Sequence, residues 1–397
     1  MTPLSFEVAR RCVIERVSEL RSLPRVQRVS LECAAGRVLS EDIHADRDYP
    51  PFARSIRDGF AVAAAGFHGR ATVIGEVRAG EIFNGSVSKE QAVEIMTGAP
   101  LPAGADAVIM VEHVQRDGDI ITTNRQVSRG DFVNPRGSEC HAGERILGSG
   151  ARLDFAGVAI LAAVGVPQVP VYEQPHVTVA GTGDELVEPN DLPEDHQIRN
   201  SNSYSLAAQV ARAGGRATIA PIARDNYQAS RNVIEAGLKS DLLLISGGVS
   251  AGKYDIVEKV LADLGAEFYF DRALIQPGQP VVFGRVKETF FFGLPGNPAS
   301  TMVTFEIFAR AALELLAGAR EAPLRIAYGR LTHDFQHKPG LTRFLPGRLG
   351  DSEPAVTPVK YNGSGDVFAL GRANCFLLAR EDRESWQSGD LIEVLPR

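Results

Sequence analysis

Four acidic residues in the middle of the chain, Asp184, Glu185, Asp225 and Asp255, stand where apolar strand-like runs end or helix-like runs begin. Carboxylates beside a phosphate imply a divalent cation, and hard oxygen donors suit Mg²⁺, which bridges a few carboxylates and substrate phosphates while keeping waters. The same positions have a plainer reading: Asp225 and Asp255 precede helical runs and could serve only as N-caps or first-turn charges. Three glycine-rich segments accompany them, GTGDEL at 181–186, SGGVSAGKYD at 246–255 and GLPGNPAS at 293–300. Each follows a strand-like run. In an open α/β sheet such loops gather at the carboxyl edge, where glycine admits the backbone to an anion and helix N-termini favour negative charge. One such loop alone would be an ordinary tight turn.

A second cluster lies far upstream, in PPFARSIRDGFA at 50–61 and MTGAPLP at 96–102. Ser55, Asp58 and Gly59 read as a loop with turn chemistry, and a structural Asx-turn at Asp58 explains them equally well. His333 and His337 have the i, i+4 spacing of helical metal ligands, but Pro339 and Gly340 follow at once and argue against a helix. Cys140 and His141 have no further ligand pair nearby. Cys12, Cys33, Cys140 and Cys375 are widely spaced, which suggests neither a zinc site nor a disulfide framework and fits a reducing cytoplasm.

The elements that must position these residues divide the chain into three. Residues 1–172 read as an N-terminal region of two subdomains, mostly β with helices: an amphipathic helix opens it, short Val/Ile runs cut by Gly, Pro and Asp follow, and DFAGVAILAAVG forms a short helix with Asp154 as N-cap. The stretch from Val166 to Pro175 reads as a connection. Residues 173–322 alternate strands such as DLLLISGG with helices such as YQASRNVIEAGLKS, the pattern of a doubly wound, mainly parallel sheet. A long helix follows GLPGN, with Pro298 in its first turn. Residues 323–397 return to short β runs and read as a small β domain. The fold class is therefore α/β plus β, with the ligand site in the central domain.

The 397 residues can bury substantial cores, and 44% hydrophobic with 23% charged residues is a globular composition. A formal charge of −7 without a basic run excludes a nucleic-acid backbone as the expected partner, though local backbone donors can still attract a small anion. Arg10 and Arg11 interrupt any signal-peptide core, and no apolar stretch reaches the ~18 residues a membrane helix needs. A cytoplasmic protein is expected.

Read together, LECAAGRVLSEDIHA, DYPPFARSIRDGFA, MTGAPLPAGADAVIMVE, GTGDEL, SGGVSAGKYD and GLPGNPAS resemble the molybdopterin molybdenumtransferase family of the MoeA and gephyrin E-domain type, in the family's order and over nearly the whole chain. RNSNSYSLAAQVARAGG and IARDN also fit. The resemblance implies an elongated homodimer with a site shared between chains, Asp58 and Thr97 coming from one and Glu185, Asp225 and Asp255 from the other. It implies insertion of molybdate into adenylyl-molybdopterin with Mg²⁺-dependent release of AMP, the metal belonging to Asp58, Glu185, Asp225 and Asp255. Substrate contacts are implied at Ser55, Gly183, Asp184, Ser246, Gly247, Gly248 and Ser250. Further contacts fall at Gln276, Gln279, Pro295, Gly296 and Asn297. A molybdopterin adenylyltransferase and the molybdoenzymes are the implied protein partners.

The sequence also departs from the family pattern. Gln276 and Gln279 replace two lysines of a Lys-Pro-Gly-Lys-Pro segment, and Arg145 replaces an acidic residue. Glutamine keeps donors but supplies no positive charge. Two readings follow: an enzyme, with catalysis retuned at three positions, or a paralogue that holds the pterin or another protein as a scaffold. The retained acidic cluster and glycine loops favour the enzyme.

Overall fold

A computed structural model describes residues 1–248, 256–351 and 354–397. The chain forms two compact units, one of residues 1–40, 150–154 and 170–397, the other of residues 41–149 and 155–169.

The larger unit opens with helix α1 (Phe6–Leu20), capped by the Ser5 hydroxyl, which accepts from the Val8 N–H. Phe6, Ala9, Val13 and Val17 are buried at helical spacing. That stripe joins the core of a six-stranded sheet built from β1 (His176–Gly181), β2 (Arg216–Ile219), β3 (Leu242–Ser246), β4 (Glu267–Phe270), β5 (Val282–Val286) and β6 (Thr289–Leu294), in the order β2-β1-β3-β6-β5-β4. The first four strands in that order are parallel, and β5 and β4 continue antiparallel. The strands β3, LLLIS, and β6, TFFFGL, are buried at every residue, as expected for strands covered on both faces.

Helices α2 (Ser201–Arg212), α3 (Tyr227–Gly237) and α4 (Ile256–Asp263) connect the strands. The sequence predicts one long helix after GLPGN; the structure gives α5 (Pro298–Thr304), a π-helical turn over Phe305–Ala309 and α6 (Arg310–Leu316), almost wholly buried. Every residue from Thr304 to Glu314 except Arg310 is buried, so packing rather than intrinsic propensity sets its local pitch.

Strands β7 (Ala327–Leu331), β8 (Thr342–Leu349), β9 (Ala355–Pro358), β10 (Cys375–Ala379) and β11 (Leu391–Pro396) close into a small barrel in the order β8-β9-β7-β11-β10, with β10 returning to β8. Closure removes exposed edges. His337 stacks on Trp386 in this region and its ring Nε2 lies 2.7 Å from the Arg383 carbonyl.

The stretch expected to be a bare connection contains a strand, Gln168–Tyr172. Tyr172 N–H donates to the Val38 carbonyl and Ser40 N–H to the Pro170 carbonyl. Val169 and Val171 are fully buried, so apolar burial outweighs the prolines, whose carbonyls still accept.

The smaller unit centres on a six-stranded mixed sheet that includes Gly59–Val62, Gln91–Ile95 and Ala107–Met110. Gly59 is required by close approach: a Cβ there would lie 1.9 Å from the Ile109 carbonyl oxygen. The predicted helix is present as Phe155–Ala163. No helix among the described residues is long and apolar enough to cross a membrane.

Candidate active site

The described parts of the three glycine-rich segments, 181–186, 246–248 and 293–300, meet where β1, β3 and β6 end. They enclose a cavity of about 670 Å³ lined by Gly183, Glu185 and Asp225 on one side, Gly247 and Gly248 in the middle, and Pro295, Gly296 and Asn297 on the other. Parallel strands bring them together: Gly181 is in register with Ser246, and Ser246 with Leu294. This is the carboxyl edge at which open α/β sheets bind ligands.

The glycines provide space more than free donors. Gly183 N–H donates to the Ala223 carbonyl and Gly247 N–H to the Leu294 carbonyl, so both are committed to the scaffold. Gly247 has φ +92°, and a Cβ on it would come within 2.6 Å of the Thr182 carbonyl oxygen. Any side chain there would push the β3 loop off the β1 loop.

Asp184 and Asp225 clasp each other. Asp225 N–H donates to Asp184 Oδ1 at 3.1 Å, and Asp184 N–H donates to Asp225 Oδ2 at 3.4 Å. Arg224 tightens the same junction by donating to the carbonyls of Asp184 and Leu186. The plainer reading of Asp225 as a helix cap is not what the chain uses: Asn226 caps α3, its side chain accepting from the Ala229 N–H. Asp225 is left facing the cavity together with Glu185. Neither carboxylate has a cationic partner among the described residues, and two unneutralised carboxylates on one wall fit a hydrated divalent cation.

Two residues that sequence reasoning passed over matter to the loops and the cavity. Asn202, at the start of α2, donates through Nδ2 to Ser246 Oγ at 2.9 Å and to the Gly296 carbonyl at 2.6 Å, tying the β3 loop to the β6 loop. Thr182 lines the cavity, and its buried hydroxyl oxygen has no partner among the described residues. Both lie inside quoted segments, RNSNSY and GTGDEL, but nothing in residue type or spacing separated them from neighbours. Asn297 donates to the Ser364 hydroxyl at 2.9 Å, so the third loop is also anchored.

Of the remaining expected positions, Gln276 and Gln279 are exposed. Gln276 belongs to a two-residue strand, Ile275–Gln276, in register with Thr342–Arg343 of the barrel. The Gln279 carbonyl accepts from Ala273 and Val281. The loop delivers Pro280 to the cavity wall, but neither glutamine lines it. Ser250 and Asp255 lie outside the described residues.

In the smaller unit Asp58 is exposed, and its Oδ1 accepts from the Thr97 N–H at 2.6 Å and the Thr97 hydroxyl at 2.7 Å. These two donors hold the carboxyl below its usual range, the backbone bond contributing most. The local turn forms at Ser55 instead of Asp58: Arg57 N–H donates to Ser55 Oγ, which donates back to the Arg57 carbonyl, and Ser55 is buried. Arg145 pairs with Asp42 at 3.3 Å.

This fold and cleft define a class: a multidomain protein around a doubly wound α/β ligand-binding domain. Residues 178–315 match the family described as "Probable molybdopterin binding domain", residues 4–165 the MoeA N-terminal region (domain I and II), and residues 328–396 the MoeA C-terminal region (domain IV). A molybdopterin molybdenumtransferase of Staphylococcus aureus (strain COL) is 32% identical over 96% of this chain and 93% of its own. A second, from Staphylococcus epidermidis (strain ATCC 12228 / FDA PCI 1200), is 30% identical over 99% and 96%. The crystal structure of a molybdopterin biosynthesis MoeA protein from Pyrococcus horikoshii OT3 superposes with a TM-score of 0.83 at 29% identity, covering 100% of both chains. The chain belongs to the MoeA family of molybdopterin molybdenumtransferases.

Proposed function

We propose that this protein is an enzyme of molybdenum cofactor biosynthesis, a transferase that inserts molybdate into adenylyl-molybdopterin and releases AMP. The observation that carries the reading is the convergence of three glycine-rich strand-end loops on one cavity with Glu185 and Asp225 on its wall. At about 670 Å³ the cavity has the size of a small-molecule site, within the usual ~300–1,000 Å³.

Gly183, Gly247, Gly248 and Gly296 leave room for the pterin phosphate to lie against the backbone. Thr182 offers a buried hydroxyl with no partner among the described residues. Glu185 and Asp225 would hold Mg²⁺, with Asp255 completing the acidic set. When bound, the metal neutralises charge that builds on the phosphoanhydride as it breaks. Asp184 keeps Asp225 in place, and Asn202 keeps the Ser246 and Gly296 loops closed around the substrate.

The assembly is proposed as a cytoplasmic homodimer in which Asp58 and Thr97 of the partner subunit complete each site. The Thr97 donors fix the Asp58 carboxylate and favour its charged form, as suits a metal ligand or water-orienting group. A molybdopterin adenylyltransferase would supply the substrate and apo-molybdoenzymes would accept the product.

The test is reconstitution: the protein is incubated with adenylyl-molybdopterin, molybdate and Mg²⁺, and the mixture is used to activate an apo-molybdoenzyme. Activation with stoichiometric AMP supports the transferase. Tight pterin binding without AMP or activation overturns it in favour of a scaffold. Mixed dimers of D58A and D225A chains test the shared site, since one of their two sites would be free of both changes; verified mixed dimers without activity count against it.

A further inference from the structure

A second cavity, of about 180 Å³, lies in the larger unit and shares no lining residue with the first. Its floor is a buried ion triad. Arg310 donates to Glu306 Oε2 at 2.8 Å and to Glu314 Oε1 at 3.1 Å. Glu306 also accepts from Gln209 at 2.9 Å. Arg10, from α1, reaches in beside them and spends its donors on the carbonyls of Ile307 and Ala322.

Two more arginines line the cavity, Arg212 at the last turn of α2 and Arg325 before the barrel, and both are exposed. Neither has a hydrogen bond or ion pair among the described residues, although two carboxylates share the same cavity. Those carboxylates are already held by Arg310 and Gln209. The lining thus carries four guanidinium groups against two carboxylates, an excess of two positive charges. Arg152 and Arg397 feel the same groups, Arg152 through Glu314, Arg310 and Arg325, and Arg397 through Arg212 and Glu306. Each is partly desolvated, which lowers its affinity for its own proton. Arg212 and Arg325 face solvent, which screens part of their repulsion, but the partly desolvated arginines behind them favour a counter-ion.

We propose that this cavity binds a small inorganic tetrahedral dianion, seated between Arg212 and Arg325 above the Glu306–Arg310–Glu314 triad. Planar guanidinium groups match the oxygens of such an ion in pairs. The charge of the ion equals the excess on the lining. The cavity, about 180 Å³, has room for an oxyanion with part of its water shell. The site lies at the far end of the α5–π–α6 helix, whose first residues follow the Pro295–Asn297 loop, so it is separate from the substrate cleft.

Thermal unfolding in sodium phosphate and in sodium chloride of equal ionic strength tests the proposal, with wild type, R325Q and R212Q/R325Q compared. The expected result is a saturable rise in Tm with phosphate and sulfate but not chloride, with apparent affinity weakened about tenfold in R325Q and the shift lost in the double variant. Equal shifts in phosphate and chloride overturn it. So does a phosphate shift that survives in R212Q/R325Q, which would belong to another site such as the Glu185 and Asp225 cleft. R325Q, altered only at an exposed side chain, serves alone if the double variant does not fold. An AMP-induced shift retained in the double variant supports a site for the free oxyanion; one lost with it overturns the assignment to an inorganic ion.

Discussion

Asp184 and Asp225 hold one another by their backbones, each N–H donating to the other's carboxylate at 3.4 and 3.1 Å. Two like-charged side chains are thereby kept adjacent at the mouth of the main cavity. Charged acceptors make such bonds stronger than neutral ones, and the geometry fixes Asp225 without a cation. In the proposed function, this clasp holds Asp225 in position for the cation without the cation's help.

Replacing Asp225 with asparagine separates charge from position. The amide oxygen can still accept from the Asp184 N–H, so the loop should hold and Tm should change little. AMP release should fall by roughly 10²-fold, the scale on which removal of one electrostatic stabiliser slows an active site. Steady-state release of AMP and a thermal melt of the same preparation check both halves. A large drop in Tm with unchanged turnover would make Asp225 structural.

Asn202 joins two loops through a single amide. In N202A the Ser246 hydroxyl and Gly296 carbonyl lose that donor, at a cost of about 1–3 kcal/mol if they stay buried. Pterin affinity should fall about tenfold while the Mg²⁺ requirement is unchanged. Calorimetric binding of molybdopterin, with denaturant unfolding in parallel, measures the two effects.

The Asp58 carboxyl lies below its ordinary value of 3.8 because the Thr97 N–H and hydroxyl donate to it. A lowered folded-state value stabilises the protein above the unfolded-state value. That contribution disappears as pH falls past the ordinary 3.8 and through the lower folded value. In T97V the backbone donor remains and the hydroxyl is lost, so the Asp58 value should rise part of the way back. Carbon-detected NMR titration of the Asp58 carboxyl reads this directly, and an unchanged value would mean the hydroxyl contributes nothing.

Gln276 and Gln279 are exposed beside Pro280, which reaches the cavity wall. Lysines at these positions would add positive charge at its edge. A pair ~4 Å apart is worth about 1 kcal/mol in water and about 4 at an intermediate dielectric, so Q276K/Q279K should lower the molybdate concentration for half-maximal cofactor yield several-fold. The gain should shrink in high salt. Arg145, in the smaller unit, is paired with Asp42. Coincident molybdate curves would show that the glutamines do not limit the reaction.

The layers and the edge that carries the cavity were legible because composition and burial agree there: LLLIS and TFFFGL read as strands covered on both faces, the first followed by Gly247 and the second by Pro295 and Gly296. The strand at Gln168–Tyr172 was hidden because two prolines flank and interrupt it, while its pairing depends on Val38 and Ser40, distant in sequence. Asp225 was ambiguous for a similar reason. An aspartate before a helix looks like a cap until Asn226 is seen to take that role and Asp184 to claim the aspartate. Asn202 and Thr182 matter through contacts with other loops, which no spacing within their own segments encodes.

The central claim is that the Glu185 and Asp225 wall works through a divalent cation on the phosphoanhydride. The most direct measurement is AMP release from adenylyl-molybdopterin, with molybdate saturating, in excess chelator and then on titration with Mg²⁺. Release should be negligible in chelator and return with saturating Mg²⁺, and D225N should need at least about tenfold more metal to reach half its own maximum. AMP release that proceeds unchanged in chelator, or a D225N midpoint equal to that of the wild type, would contradict the account.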